Sequence, residues 1–444
     1  MNKLGRIAIV ALAAAVAPVV QAQNGAAPHA PAAEISSSHP AMFAEFPRPR
    51  ADLPFLDSAN AWPKRWNNSE QRRGVVIEVD NPAEFPAGYR APDFRPLARN
   101  ASELRALKGD APLPESLDVL TAGRGSFMYI VREADAEKPV PRSRRNTADA
   151  MLKFVSAQEE DLDSGPALVI EQTWFAVYQP KVQPRGLALV SPGLLGTPPG
   201  TLQNVSELLR KDGWLVLRML SQPSRFTEQL EFKLDGAADI DAQAKAIAKI
   251  TGNRTAECAY AVQAAAAHLE SAHPGLKTQP RVAVGFSGGA MTLPTIIARE
   301  PERYAAAVLV GGGADFWLMN QRSNYRELIK AVKETWAEKP SPETLAALDE
   351  AYLKNAPLDS YHTAAVLKGK PVLMIQGTAD RAVPAPLGDL LWERLGRPER
   401  WLDEGASHES LFMNLPRDHF PRMMEWLNRA APRLAQDAPA AQPE

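Results

Sequence analysis

Three residues stand out for the chemistry they could do together: Ser287, Asp380 and His408. A serine hydroxyl becomes a useful nucleophile only when a histidine takes its proton and a carboxylate orients that histidine. Ser287 sits in Gly285-Phe286-Ser287-Gly288-Gly289, after the apolar run Val282-Ala283-Val284 and before the helical pattern Ala290 to Arg299. That order predicts a strand, a sharp turn and a helix, with glycines relieving the crowding and the serine hydroxyl held out on a strained turn. The N-terminus of the following helix would place partial positive charge where an oxyanion develops. Asp380 closes the segment Pro371-Val-Leu-Met-Ile-Gln-Gly-Thr-Ala-Asp380, an apolar strand ending in a Gly turn, and Arg381-Ala382-Val383-Pro384 follows. His408 comes after another short strand, in Glu404-Gly405-Ala406-Ser407-His408-Glu409.

Other acids compete for the orienting role. Asp315 follows an apolar run at Ala305 to Val310, and Asp403 and Glu404 lie close to His408 in sequence; only Asp380 combines a buried strand with a Gly turn. The remaining histidines read as bystanders: His29 and His39 in an N-terminal leader, His268 and His273 at or past a polar helix end, His362 in a loop and His419 at a helix start. The single cysteine, Cys258, falls in the alanine-rich stretch Ala256 to Leu269 and reads as a small apolar residue in a buried helix. No His/Cys cluster with metal-ligand spacing and no phosphate-cradling glycine motif is present in the sequence, so neither a metal nor a cofactor is expected.

The turn around Ser287, the strand-G-x-x-D-x-x-V-P segment ending at Pro384 and the late G-x-x-H segment ending at His408 together resemble the α/β-hydrolase superfamily. The resemblance covers about residues 167 to 430 and points to no close named subfamily. It implies Ser287 as nucleophile, His408 as general base and then acid, and Asp380 as the orienting carboxylate. It also implies an oxyanion hole formed by the Gly288 N–H and one N–H from Ser191-Pro192-Gly193-Leu194-Leu195-Gly196, with Leu194 the best match. Pro192-Gly193 stands where a His-Gly pair is common in that loop. The implied reaction is hydrolysis of a carboxylic ester through an acyl-enzyme, with a small-molecule ester or acylated compound as substrate. A serine peptidase acting on small peptides, and a noncatalytic binding protein on the same fold, are the alternatives.

These residues need a scaffold, and from about Ala167 the texture supplies one. Strand-like runs at 167–178, 186–190, 214–219, 281–285, 305–310, 371–375 and 400–402 alternate with helical patterns at 202–211, 240–250, 254–271, 290–299 and 418–427. The fold class read from this is α/β, a mostly parallel sheet flanked by helices. Sixty residues separate the runs ending at Val310 and beginning at Pro371, far more than one crossover helix needs. The excess predicts a helical cap over about 315–365, with helices at Asn324 to Lys339 and Pro342 to Lys354, and with Phe316 and Trp317 lining a substrate pocket.

The N-terminal part reads differently. Lys3 and Arg6 precede an apolar run from Ile7 to Val20, and Val20-Gln21-Ala22 has the small-residue spacing of a cleavage site, so residues 1–22 are expected to be a signal peptide and the protein periplasmic or secreted. Residues 23–43 read as a flexible leader, 44–165 as a Pro-rich arm or small β-rich module, 166–435 as the catalytic domain and 436–444 as a disordered tail. The whole chain of 444 residues has 45% apolar and 23% charged residues and a net charge of -2, which gives no basic excess for nucleic acid, and no later run suited to stable membrane insertion. Oligomeric state leaves no mark in the sequence.

Overall fold

Apolar runs with no polar alternation are what a sheet buried on both faces requires, and they form the centre of the molecule in the computed structural model. The structure describes residues 49–63, 75–79, 94–96, 128–134, 147–162, 165–194, 197–220, 230–235, 239–326 and 332–431. The expected signal peptide, leader and tail lie outside these residues. In chain order the strands are β1 (Val75–Val79), β2 (Phe94–Pro96), β3 (Met128–Ala134), β4 (Ala150–Leu162), β5 (Gly165–Tyr178), β6 (Leu187–Ser191), β7 (Leu215–Met219), β8 (Leu230–Leu234), β9 (Arg281–Phe286), β10 (Tyr304–Val310), β11 (Val332–Trp336), β12 (Val372–Gly377) and β13 (Glu399–Asp403). The principal helices are α1 (Pro199–Lys211), α2 (Ile240–Ala272), α3 (Gly288–Ala298), α4 (Phe316–Arg322), α5 (Pro342–Asn355), α6 (Ser360–Thr363), α7 (Ala385–Arg394), α8 (His408–Asp418) and α9 (Phe420–Ala430).

The main sheet runs β1-β4-β5-β7-β6-β9-β10-β12-β13. From β7 to β13 all neighbours are parallel, whereas β5 runs against both β7 and β4. Along β9, β10 and β12 alternate side chains enter two different cores: Val284, Val308 and Leu373 pack with α1, α8 and α9, while Ala283, Leu309 and Met374 pack with α2, α3 and α7. This is the α/β-hydrolase fold. From β6 the chain steps sideways to β7 and then returns to the other side of β6 as β9. That reversal leaves a crevice outside the carboxyl ends of β6 and β9, where open α/β sheets bind ligands.

Several expectations need correction. The segment expected as a helix at 324–339 contains strand β11, paired in parallel with β8 from Leu230↔Val332 to Leu234↔Trp336. Val332, Thr335 and Trp336 favour extended backbone, and Trp336 packs on the core from a strand as well as it would from a helix. Leu328 and Ile329 lie outside the described residues. The patterns at 240–250 and 254–271 belong to the single helix α2, which runs through Gly252 because residues 253–262 are buried on all sides. The boundary expected between 165 and 166 cuts the β4–β5 hairpin, whose register extends from Ala150↔Val177 to Leu162↔Gly165. His362, expected in a loop, is buried in α6; its Nδ1 accepts from the Leu56 N–H at 3.1 Å and its Nε2–H donates to the Leu353 carbonyl at 2.7 Å.

Candidate active site

Ser287 sits at the turn between β9 and α3 with φ 51° and ψ −120°, a conformation that costs a non-glycine residue about 1 to 3 kcal/mol. The turn is held by the Ser287 N–H, which donates to the Val310 carbonyl at 2.8 Å. Its tightness explains the glycines beside it. A Cβ at Gly289 would come within 2.4 Å of the Ser191 carbonyl, so the loop after β6 packs directly on the start of α3. That packing also brings the Leu194 amide nitrogen within 3.2 Å of where a Gly288 Cβ would stand. The Gly193 N–H donates to Thr197 Oγ1 at 3.1 Å, whereas no acceptor is found for the Leu194 N–H among the described residues. The Gly288 N–H, in the first turn of α3, has no intrahelical acceptor. Two amide donors thus stand together beside Ser287.

His408 is the first residue of α8, whose N-cap Ser407 accepts from the Ser410 N–H. Its Nδ1–H donates to Asp380 Oδ2 at 2.6 Å, which leaves Nε2 unprotonated and able to accept from Ser287 Oγ, 2.9 Å away. Asp380 is itself fixed, because its Oδ1 accepts from the Ala382 and Val383 N–H groups at 2.9 Å each. The loops carrying the two residues are stitched together by Ala379 N–H to Ala406 carbonyl at 3.0 Å and Gly405 N–H to Thr378 Oγ1 at 2.8 Å. Gly377 permits this, since any Cβ there would lie 2.3 Å from the Ala406 carbonyl. Ser287, His408 and Asp380 are only 8%, 1% and 2% exposed, so their mutual interactions are little weakened by solvent.

Two aromatic rings flank the imidazole edge-on: Phe412 of α8 at 4.7 Å and Tyr325, just beyond α4, at 5.8 Å between centroids. The Tyr325 hydroxyl donates to Glu409 Oε1, and Glu409 Oε2 accepts from Ser407 Oγ at 2.9 Å. The hydrogen bond from Tyr325 holds the Glu409 carboxyl below the usual range, while burial and the neighbouring Glu409 push the Tyr325 hydroxyl up. Sequence reasoning missed both residues, and no motif marks either one.

The rival acids lie elsewhere. Asp315 is fully buried and caps α4 through the Leu318 N–H at 2.9 Å; Asp403 accepts from His419 Nε2 at 2.8 Å; Glu404 is exposed. The expected pocket wall also needs correction. Trp317 is 1% exposed and packed between Phe232 and Tyr352, each 6.5 Å away, which makes it core. Phe316 is half-buried on the same core, its N–H donating to Asp359. Among the described residues no three His, Cys, Asp or Glu side chains are grouped to hold a metal, and no helix is long and apolar enough to cross a membrane.

Residues 248–431, about two-fifths of the chain, match the sequence profile of the prolyl oligopeptidase family. No curated protein matches the chain. Solved structures that resemble it include the Pyrococcus furiosus esterase Pf2001 (16% identity, 62% of this chain and 92% of that one, TM-score 0.37). Est1E from Butyrivibrio proteoclasticus (15%, 61% and 98%, TM-score 0.36) and the esterase domain of a Rhodothermus marinus protein (14%, 62% and 98%, TM-score 0.34) are similar in the same degree. At such scores the likeness carries no argument, which leaves the strand order and the profile match. Both lead to one conclusion: the chain has an α/β-hydrolase fold and is a serine hydrolase.

Proposed function

We propose that the protein is an exported carboxylic-ester hydrolase in which Ser287, His408 and Asp380 form the catalytic triad. The observation that carries this reading is the continuous chain Ser287 Oγ to His408 Nε2 and His408 Nδ1 to Asp380 Oδ2, at 2.9 and 2.6 Å. Ser287 Oγ attacks the acyl carbon as its proton passes to His408 Nε2, and the resulting oxyanion accepts from the Gly288 and Leu194 N–H groups. Collapse of the tetrahedral adduct breaks the bond to the leaving alkoxide, which takes the proton from His408. Water, deprotonated by the same nitrogen, then releases the acid and restores Ser287. Asp380 keeps the imidazole in the one tautomer that can accept from serine and stabilises the imidazolium that forms.

The match to the prolyl oligopeptidase family favours a second reading, hydrolysis of small peptides by the same residues. A panel of p-nitrophenyl esters of increasing acyl length, assayed beside peptide p-nitroanilides, separates the two. The ester reading expects higher kcat/KM on short esters than on any anilide, and loss of all such turnover in Ser287→Ala. An opposite ranking would make the protein a peptidase. Export rests on Lys3, Arg6 and the apolar run from Ile7 to Val20, and expects the protein recovered outside the cytoplasm to begin at Gln23. A cytoplasmic protein retaining Met1 would refute it.

A further inference from the structure

Tyr325 belongs to the insertion between β10 and β12, yet it reaches the loops of both Asp380 and His408. Its own turn is tied to the first loop: the Asn324 N–H donates to the Arg381 carbonyl at 2.9 Å, and Ser323 Oγ donates to the Ala382 carbonyl at 2.6 Å while accepting from the Tyr325 N–H at 3.1 Å. Its hydroxyl is tied to the second loop through Glu409, the residue after His408, and Glu409 is in turn held by Ser407. Between these anchors the ring meets the His408 imidazole at 84°, and Phe412 meets the imidazole at 85°. A histidine ring has two torsions to fix. Hydrogen bonds to Asp380 and Ser287 hold the two ring nitrogens, and packing on the ring faces and edges opposes its rotation about the line between them.

We infer that Tyr325, tethered through Glu409, is a positioning residue for His408 that holds the imidazole in line between Asp380 and Ser287. It does not touch the reacting atoms of an ester; it acts by restricting the base. The inference rests on the proposed roles of Ser287 and His408, and it gives the insertion a part in the reaction step itself. Loss of the ring should slow every step in which His408 moves a proton, with little effect on binding. Misplacement of a catalytic group by about 1 Å costs on the order of a hundredfold in rate.

The test is the phosphonylation rate of Ser287 by a small alkyl fluorophosphonate, resolved into kinact and Ki, because this step needs the base but no knowledge of the substrate. Tyr325→Ala should lower kinact about tenfold to a hundredfold and leave Ki within about threefold. Tyr325→Phe, which keeps the ring and loses only the tether, should recover kinact to within about fivefold of the original protein. The proton of the His408–Asp380 hydrogen bond gives a second readout. Its downfield resonance should be sharp in the original protein and in Tyr325→Phe, and exchange-broadened in Tyr325→Ala. If Tyr325→Ala fails to fold, Tyr325→Leu keeps apolar volume and carries the same expectation. Unchanged kinact, an effect confined to Ki, or equal losses in the Ala and Phe variants would overturn the inference. Failure of the original protein to be labelled at Ser287 would instead remove the triad reading beneath it.

Discussion

Ser287 occupies backbone space that suits glycine, and the fold holds it there by the bond to the Val310 carbonyl and the packing of the β6 loop on α3. Strain of this kind persists only when the surroundings over-determine it. Two inactive variants measure it. Ser287→Ala keeps the Cβ and the strain, whereas Ser287→Gly releases it at some cost in chain entropy, so the glycine variant should be more stable by about 1 kcal/mol. Urea unfolding of the two variants checks this, and equal midpoints would mean that the turn is unstrained. This much was legible in the sequence, because G-x-S-x-G flanked by an apolar run and a helical pattern specifies a turn by its local sterics. Tyr325 and Glu409 were not legible. They meet each other across 84 residues of chain, and neither residue type at those positions implies the other.

The insertion after β10 is organised by buried carboxylates. Asp359 accepts from the Asp315, Phe316 and Tyr361 N–H groups and from the Tyr352 hydroxyl, which joins the start of α4 to α5 and α6. Asp315 lies beside Asp349 of α5. Burial, and then the Asp349 charge, push the Asp315 carboxyl well above its usual range; burial pushes Asp349 up to about 6. The native state therefore holds protons that the unfolded chain releases above the ordinary carboxylate range, so these groups make stability fall as pH rises through that window. Asp315→Asn keeps an acceptor for the Leu318 N–H and a donor toward Asp349 while removing one titrating group. Its stability should exceed that of the original protein at pH 8 and differ least near pH 4, as read by urea unfolding at both values. A larger gain at pH 4 would contradict this account. The helix Pro342–Asn355 was readable from the apolar spacing of Leu345, Leu348 and Tyr352. Strand β11 was not, since residues 328, 332 and 336 satisfy a helical period and only the pairing with β8 decides the matter.

At the scale of the molecule, the alternation of apolar runs and helices from residue 167 gave away the parallel half of the sheet, because burial on both faces leaves an unmistakable composition. The Pro-rich N-terminal region gave away little. Residues 49–63 act as a strap whose contacts lie hundreds of residues away: Arg394 of α7 donates to the Ala51 and Leu53 carbonyls at 2.9 and 2.7 Å and lies over the Phe55 and Tyr361 rings at 3.6 and 3.9 Å. No local pattern encodes such a site. The molecule thus wraps a recognisable hydrolase sheet in segments whose placement depends on long-range packing, and its proposed chemistry converges on one serine at the crevice beside β6. The most direct measurement is to expose the protein briefly to p-nitrophenyl acetate, quench with acid and map the modified peptide by mass. The account predicts a burst of about one nitrophenolate per chain, with the acetyl group carried by Ser287 and lost from Ser287→Ala. An acetyl group on any other residue, or turnover that survives in Ser287→Ala, would contradict it.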